Sequence, residues 1–136
     1  MLQASLANYG SQVVACQDVR KILLIDDDPA FRSLFSLVGN SLGYSVSAFE
    51  SVASMTSFAF INSYDIAFVD YYLEGFTGVE IAEYVDVFFP YMSVFLVSGD
   101  RSILDLKALP ESVRGVYEKS TGVRSIINQA VKLAVS

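Results

Sequence analysis

The sequence contains no histidine and one cysteine, Cys16. Without histidine the chain cannot build a Ser-His-Asp triad, a His-ligated zinc site or a histidine phosphocarrier. A single cysteine excludes an intrachain disulfide, and Cys16 reads most simply as a small apolar residue. Bases are few: 9 Lys and Arg stand against 15 Asp and Glu, a net charge of −6. That balance argues against a nucleic-acid surface, which would show a basic stripe. Long apolar runs are missing too, although 53% of the residues are hydrophobic. The apolar stretches have strand length and are broken by charge, far short of the roughly 20 residues of a membrane-spanning helix. Residues 1–20 lack a basic region followed by an apolar one, so no secretory signal is expected and the default address is cytoplasmic.

What remains is material for one domain with one core, since the chain has 136 residues. From Arg20 onward two patterns alternate. Lys21 to Ile25 is a short apolar run ending in Asp26-Asp27-Asp28, as expected of a strand buried on both faces. Asp28-Pro29 opens a helix, with Asp28 as N-cap and Phe31, Leu34, Phe35 and Val38 at helical spacing up to Gly43. Tyr44 to Phe49 reads as a second strand and Val52 to Ile61 as a weaker helix with Val52, Met55 and Ala59 inward. Asp65 to Asp70 is a third strand, Gly75 to Gly78 a loop, and Val79 to Phe89 a helix stopped at Pro90. Met92 to Val97 is a fourth strand followed by Ser98-Gly99-Asp100, and a helix around Ile103 to Leu109 stops at Pro110. Gly115 to Tyr117 is a short fifth strand ending at Lys119, and Val123 to Val135 is the last helix. The expected architecture is α/β, a doubly wound five-stranded parallel sheet covered on both faces. Residues 1–19 fall outside the pattern as an N-terminal extension, and residues 20–136 form the domain.

In such sheets ligands bind beyond the carboxyl ends of the strands. Those ends supply Asp26 and Asp27, Asp70, Ser98 and Lys119. If the strand order brings them together, three carboxylates face one ammonium. A divalent cation balances that sum, and oxygen ligands without Cys or His favour magnesium over zinc. A carboxylate held by a metal and a lysine can attack a phosphoryl group, and the same pair neutralises the acyl phosphate formed. Taken singly, each residue has a plainer reading. An acidic run can be a charged loop and helix cap, Ser98 a strand-end hydroxyl, and Lys119 a solvated side chain. The joint placement outweighs these.

Four segments resemble the response-regulator receiver family: Lys21 to Pro29 with Arg32, Tyr64 to Gly78, Val94 to Gly99, and Gly115 to Lys119. The resemblance implies a flavodoxin-like fold and a two-component switch. By position, Asp70 is the phosphoacceptor, and Asp27 binds magnesium directly while Asp26 acts largely through water. The Tyr72 carbonyl is a further ligand, Ser98 bonds the phosphoryl group and Lys119 pairs with it. Gly99 leaves room for the incoming group and Gly78 serves the following turn. The implied donor is a sensor histidine kinase, a histidine phosphotransfer protein or a small acyl phosphate. Output is expected by protein contact through the face of the fourth helix (Ile103, Leu104, Leu106), fifth strand and fifth helix (Val123, Ile127, Val131), with a homodimer as a possible assembly. The chain departs from the family pattern at Glu74 and Ser120, where prolines are common, and at Val116, where an aromatic is usual. Tyr117, one place later, should face the other side of the sheet. Two other readings stay open: a receiver-shaped adaptor that works without phosphate, and an aspartyl-phosphate phosphohydrolase built on the Asp26-x-Asp28 spacing.

Overall fold

Strand β1, Lys21–Ile25, is buried at every position after Lys21. It lies between β2, Ser45–Phe49, and β3, Ile66–Asp70, and both pairings are parallel. The computed structural model describes residues 18–55, 57–73, 75–99 and 108–135. Strand β6, Ser93–Ser98, pairs with β3, and β7, Val113–Glu118, completes a five-stranded sheet of order β2-β1-β3-β6-β7. Between β3 and β6 a small antiparallel hairpin, β4 at Tyr72–Leu73 and β5 at Phe76–Thr77, occupies what the sequence suggested was plain loop. Gly75 makes its turn at φ +87, a backbone conformation that L side chains rarely adopt.

The period of two along each strand sorts the core into two layers. On one face Ile22, Leu24, Ile66, Phe68, Phe95, Val97 and Tyr117 meet helices α1, Pro29–Ser41, and α3, Val123–Val135. On the other, Leu23, Ile25, Ala67, Val69, Val94 and Leu96 meet helix α2, Gly78–Phe88, together with Met55 and Ile61. Val123 and Ile127, expected on a partner face, are core residues, because the apolar stripe of α3 turns inward. The outer side of α3 carries Arg124, Asn128, Gln129 and Lys132 instead. Val116 and Tyr117 do point to opposite faces. No helix among the described residues is long and apolar enough to cross a membrane.

The helix ends follow local chemistry. Asp28 caps α1 by accepting from the Ala30 amide at 3.0 Å. Thr77 and Glu80 form a reciprocal capping box on α2, at 2.8 and 3.1 Å. One expected helix is absent: Val52 to Ile61 gives turns and then a 3-10 segment, Phe58–Ser63. Ser51 and Ser54 explain the start of that failure. The Ser54 hydroxyl donates to the Ser51 carbonyl at 2.7 Å, and each serine amide donates to the other's hydroxyl at 3.1 Å. Such local bonds compete with the helical ladder. The expected helix around Ile103 to Leu109 falls mostly on residues 100–107, which lie outside the described residues, as do Cys16, Glu74 and most of the N-terminal extension.

Candidate functional site

The sheet register brings the strand ends to one edge. Ile25 pairs with Val69, so Asp26 follows β1 at the level of Asp70 on β3. Asp70 pairs with Val97, one residue before Ser98. Ser98 pairs with Glu118, the residue before Lys119. Asp26, Asp27 and Asp70 each offer a carboxylate oxygen, and these atoms lie within 4.8 Å of one another. The Lys119 ammonium lies 2.8 Å from Asp26 Oδ2 and 3.6 Å from Asp70 Oδ2.

Each member is held by its surroundings. Asp26 is fully buried, and its Oδ1 accepts from the Asp28 amide at 2.9 Å. Its carbonyl accepts from Arg32 Nη1 at 2.8 Å, which ties the loop to the first turn of α1. Asp27 is exposed, whereas Asp70 is buried. Burial, followed by the neighbouring charge of Asp26, raises the Asp70 carboxyl to about 6; Lys119 and the Tyr72 amide oppose the rise, and Asp27 adds to it. Burial alone would lower Lys119, but its hydrogen bond to Asp26 and the charges of Asp26, Asp70 and Asp28 together raise it. The ammonium also sits 4.5 Å from the centroid of the Phe31 ring, within cation–π range.

The arrangement suits a hard cation. Its candidate donors are all oxygens, and three carboxylates facing one ammonium leave a local charge that a divalent ion would cancel. Ser98 is buried at the end of β6 beside this cluster. The Tyr72 side chain is 53% exposed, with its ring edge-on to Tyr71 at 4.6 Å, so it stands at the rim. Gly99 has nothing within 4 Å of where a Cβ would lie. Gly78 is constrained instead: its amide donates to the Tyr71 carbonyl at 2.8 Å, and a Cβ there would lie 2.8 Å from the Asp70 carbonyl oxygen. The Lys119–Ser120 peptide is trans, as are all described peptide bonds, and a 3-10 turn, Lys119–Thr121, follows directly.

The sequence reading assigned Phe31 only to the helix core and left Arg32 without a contact. Phe31 opens the first turn of α1 four residues after Asp27, close enough to the loop for its ring to reach the lysine. Arg32 enters the sequence pattern only alongside the Lys21 to Pro29 segment, and its bond to the Asp26 carbonyl is not readable from that alone.

This edge of a five-stranded parallel sheet, with three acids and a lysine, is the pattern of a receiver domain. The response regulator receiver domain family matches residues 22–130, and the chain belongs to that family. No curated relative matches the chain. Among solved structures, the response regulator TrrA from Thermotoga maritima, in complex with Mg2+-BeF, is similar at 22% identity and a TM-score of 0.72, covering 84% of this chain and 98% of that one. A receiver domain protein from Clostridium thermocellum is 22% identical with a TM-score of 0.70, covering 86% and 94%. A CheY-like receiver domain protein from Methanospirillum hungatei is 21% identical with a TM-score of 0.71, with the same coverage of 86% and 94%. At these identities the likeness to the solved structures is one of fold.

Proposed function

We propose that residues 20–136 form a phosphoryl-accepting switch in two-component signalling, with residues 1–19 as an extension. The observation that carries this reading is the meeting of Asp26, Asp27 and Asp70 within 4.8 Å, with Lys119 on two of them, in a chain of the receiver family. An Asp70 carboxylate oxygen attacks the phosphorus of a phosphohistidine on a sensor kinase or phosphotransfer protein. The P–N bond breaks, its electron pair stays on the donor imidazole, and a proton replaces the lost phosphoryl group there. A small acyl phosphate can serve in the same way, with its carboxylate as leaving group. Lys119 moves from pairing with Asp70 to pairing with a phosphoryl oxygen, and Ser98 donates its hydroxyl to another. Magnesium is the ion the donor set suits, held by Asp27, Asp70 and the Tyr72 carbonyl with Asp26 beside them; bound there, it neutralises phosphoryl charge. That the similar TrrA structure contains Mg2+-BeF supports this choice.

The domain then acts as a switch and not as an enzyme with a separate substrate. Its output is a protein contact made by the outer side of α3, β7 and the segment before β7. A cytoplasmic location suits a donor of that kind. Incubation with acetyl phosphate and magnesium should label the wild type with one phosphoryl group and leave Asp70→Asn unlabelled. An unlabelled wild type that still binds magnesium would favour the phosphate-independent adaptor. Steady turnover of small phosphate esters would favour the phosphohydrolase.

A further inference from the structure

The second layer of the sheet carries a feature that the phosphoryl site does not use. Turns follow β2 in place of the expected α-helix, and Val52 within them lines one wall beside α2. The result is a groove of about 580 Å³ lined by Val52, Ile81, Tyr84, Val87 and Phe88, with Glu80 and Glu83 at its rim. Val87 is 71% exposed, and the Tyr84 and Phe88 rings, 4.8 Å apart, are each more than half exposed. Tyr91, just past the helix, is 99% exposed. Large apolar side chains gathered in this way mark contact surfaces and not ordinary solvated helix faces.

Charge selects the occupant. Helix α2 carries Glu80, Glu83 and Asp86 and no base. The bias extends much further: between Arg32 and Arg101 the sequence has no lysine or arginine. A second copy presenting the same face would set acid against acid. Residues 1–17 contain no charged side chain, so they would leave the rim acids unanswered. We propose that this groove docks an amphipathic helix of a partner protein, with apolar anchors seated on Val87 and Phe88 and lysines or arginines against Glu80 and Glu83. Helix-in-groove recognition needs this combination of an apolar floor and a charged rim. None of the residues lining the groove belongs to the acidic cluster or to its lysine, so the inference stands independently of phosphoryl transfer.

The probe is a fluorescein-labelled 14-residue Leu/Lys peptide with one apolar helical stripe, titrated into the full chain by anisotropy. Its counterpart has Glu in place of every Lys. The Leu/Lys peptide should bind at least about tenfold more tightly than the Leu/Glu one. Phe88→Ser and Glu83→Lys, both at exposed positions, should each weaken it by about tenfold while far-UV circular dichroism stays unchanged. Equal binding of the two peptides, or binding indifferent to both variants, overturns the proposal. So does a dimer that Phe88→Ser dissolves, since a second copy would then own the groove. A gain of about tenfold on deleting residues 1–17 overturns it as well, because the arm would be the occupant.

Discussion

Replacing Asp70 by Asn should make the metal-free protein more stable, although Asp70 is the residue on which the proposed function rests. Burial and the charge of Asp26 raise the Asp70 carboxyl from 3.8 to about 6. A folded-state value above the unfolded one means that the fold holds this proton more tightly than the unfolded chain does. The stabilising contribution is complete below pH 3.8 and is lost as pH rises through about 6. In its charged form the group therefore costs about 3 kcal/mol of stability at pH 8, at about 1.4 kcal/mol per pH unit. Asn keeps the shape and removes the charge, and Asp26 still pairs with Lys119 at 2.8 Å. Urea denaturation in EDTA at pH 8 should place Asp70→Asn above the wild type by up to about 3 kcal/mol. At pH 5 the gap should shrink to about half, because the wild type regains its proton. Saturating magnesium should also narrow it, since an ion at about 100 times its Kd adds about 2.7 kcal/mol to the protein that binds it better. A variant no more stable than the wild type in EDTA at pH 8 would refute the reasoning, as would a gap that does not change between pH 8 and pH 5.

Asp27→Ala should abolish both magnesium binding, read by calorimetry, and acetyl-phosphate labelling; a normally labelled variant would remove Asp27 from the site. Gly78→Ala should cost about 2 kcal/mol in chemical denaturation, because the added Cβ would meet the Asp70 carbonyl oxygen at 2.8 Å and Tyr71 Cα at 3.1 Å, backbone atoms that cannot move aside as the Leu96 side chain can. Tyr72→Asn should speed loss of the phosphoryl group by about tenfold, or about 1.4 kcal/mol in the barrier, because a bulky ring at the rim obstructs water where an amide would orient it. The decay of labelled protein after donor removal checks this, and a wild type that loses its label within seconds would contradict it.

The sheet strands were legible as short segments alternating with helices, most of them apolar runs closed by a polar residue. The parallel sheet follows from that alternation, whereas the strand order entered only as a condition. The candidate site was legible for a related reason: in this topology the carboxyl ends of the strands share one edge. The observed order, with β1, β3, β6 and β7 in succession, brings Asp26, Asp70 and Lys119 together there. The helix after β2 was misread because Val52, Met55 and Ala59 have helical spacing while Ser51 and Ser54 prefer to bond their own backbone. The β4–β5 hairpin was missed because two-residue strands leave no periodicity to count. The core role of Val123 and Ile127 was missed because the rotational setting of α3 depends on its partner in space, α1. Phe31 over Lys119 is tertiary in the same sense: 88 residues separate the ring from the ammonium.

The same pairing bears on how a change at Asp70 could reach the rest of the domain. Tyr117 does not lie on the α2 side of β7. Its ring stacks on Phe95 at 6.1 Å, and a run of close aromatic contacts continues through Phe68 and Phe35 to Phe31. The Tyr117 hydroxyl lies 3.1 Å from where a Cβ on Gly115 would stand, so a side chain at Gly115 would displace the ring. On the opposite face, beside α2, the corresponding place holds Val116, which has no ring to swing. An aromatic rotation on that side of β7 is therefore closed to this chain. Lys119 is placed differently. Its ammonium touches Asp26, Asp70 and the ring of Phe31, and Phe31 belongs to α1, which packs with α3 over one face of the sheet. A phosphoryl group on Asp70 would draw that ammonium away from its present partners. On the proposed function, the aromatic contact of Lys119 with Phe31 would be a first packing contact to feel the change, and it belongs to the α1 and α3 face.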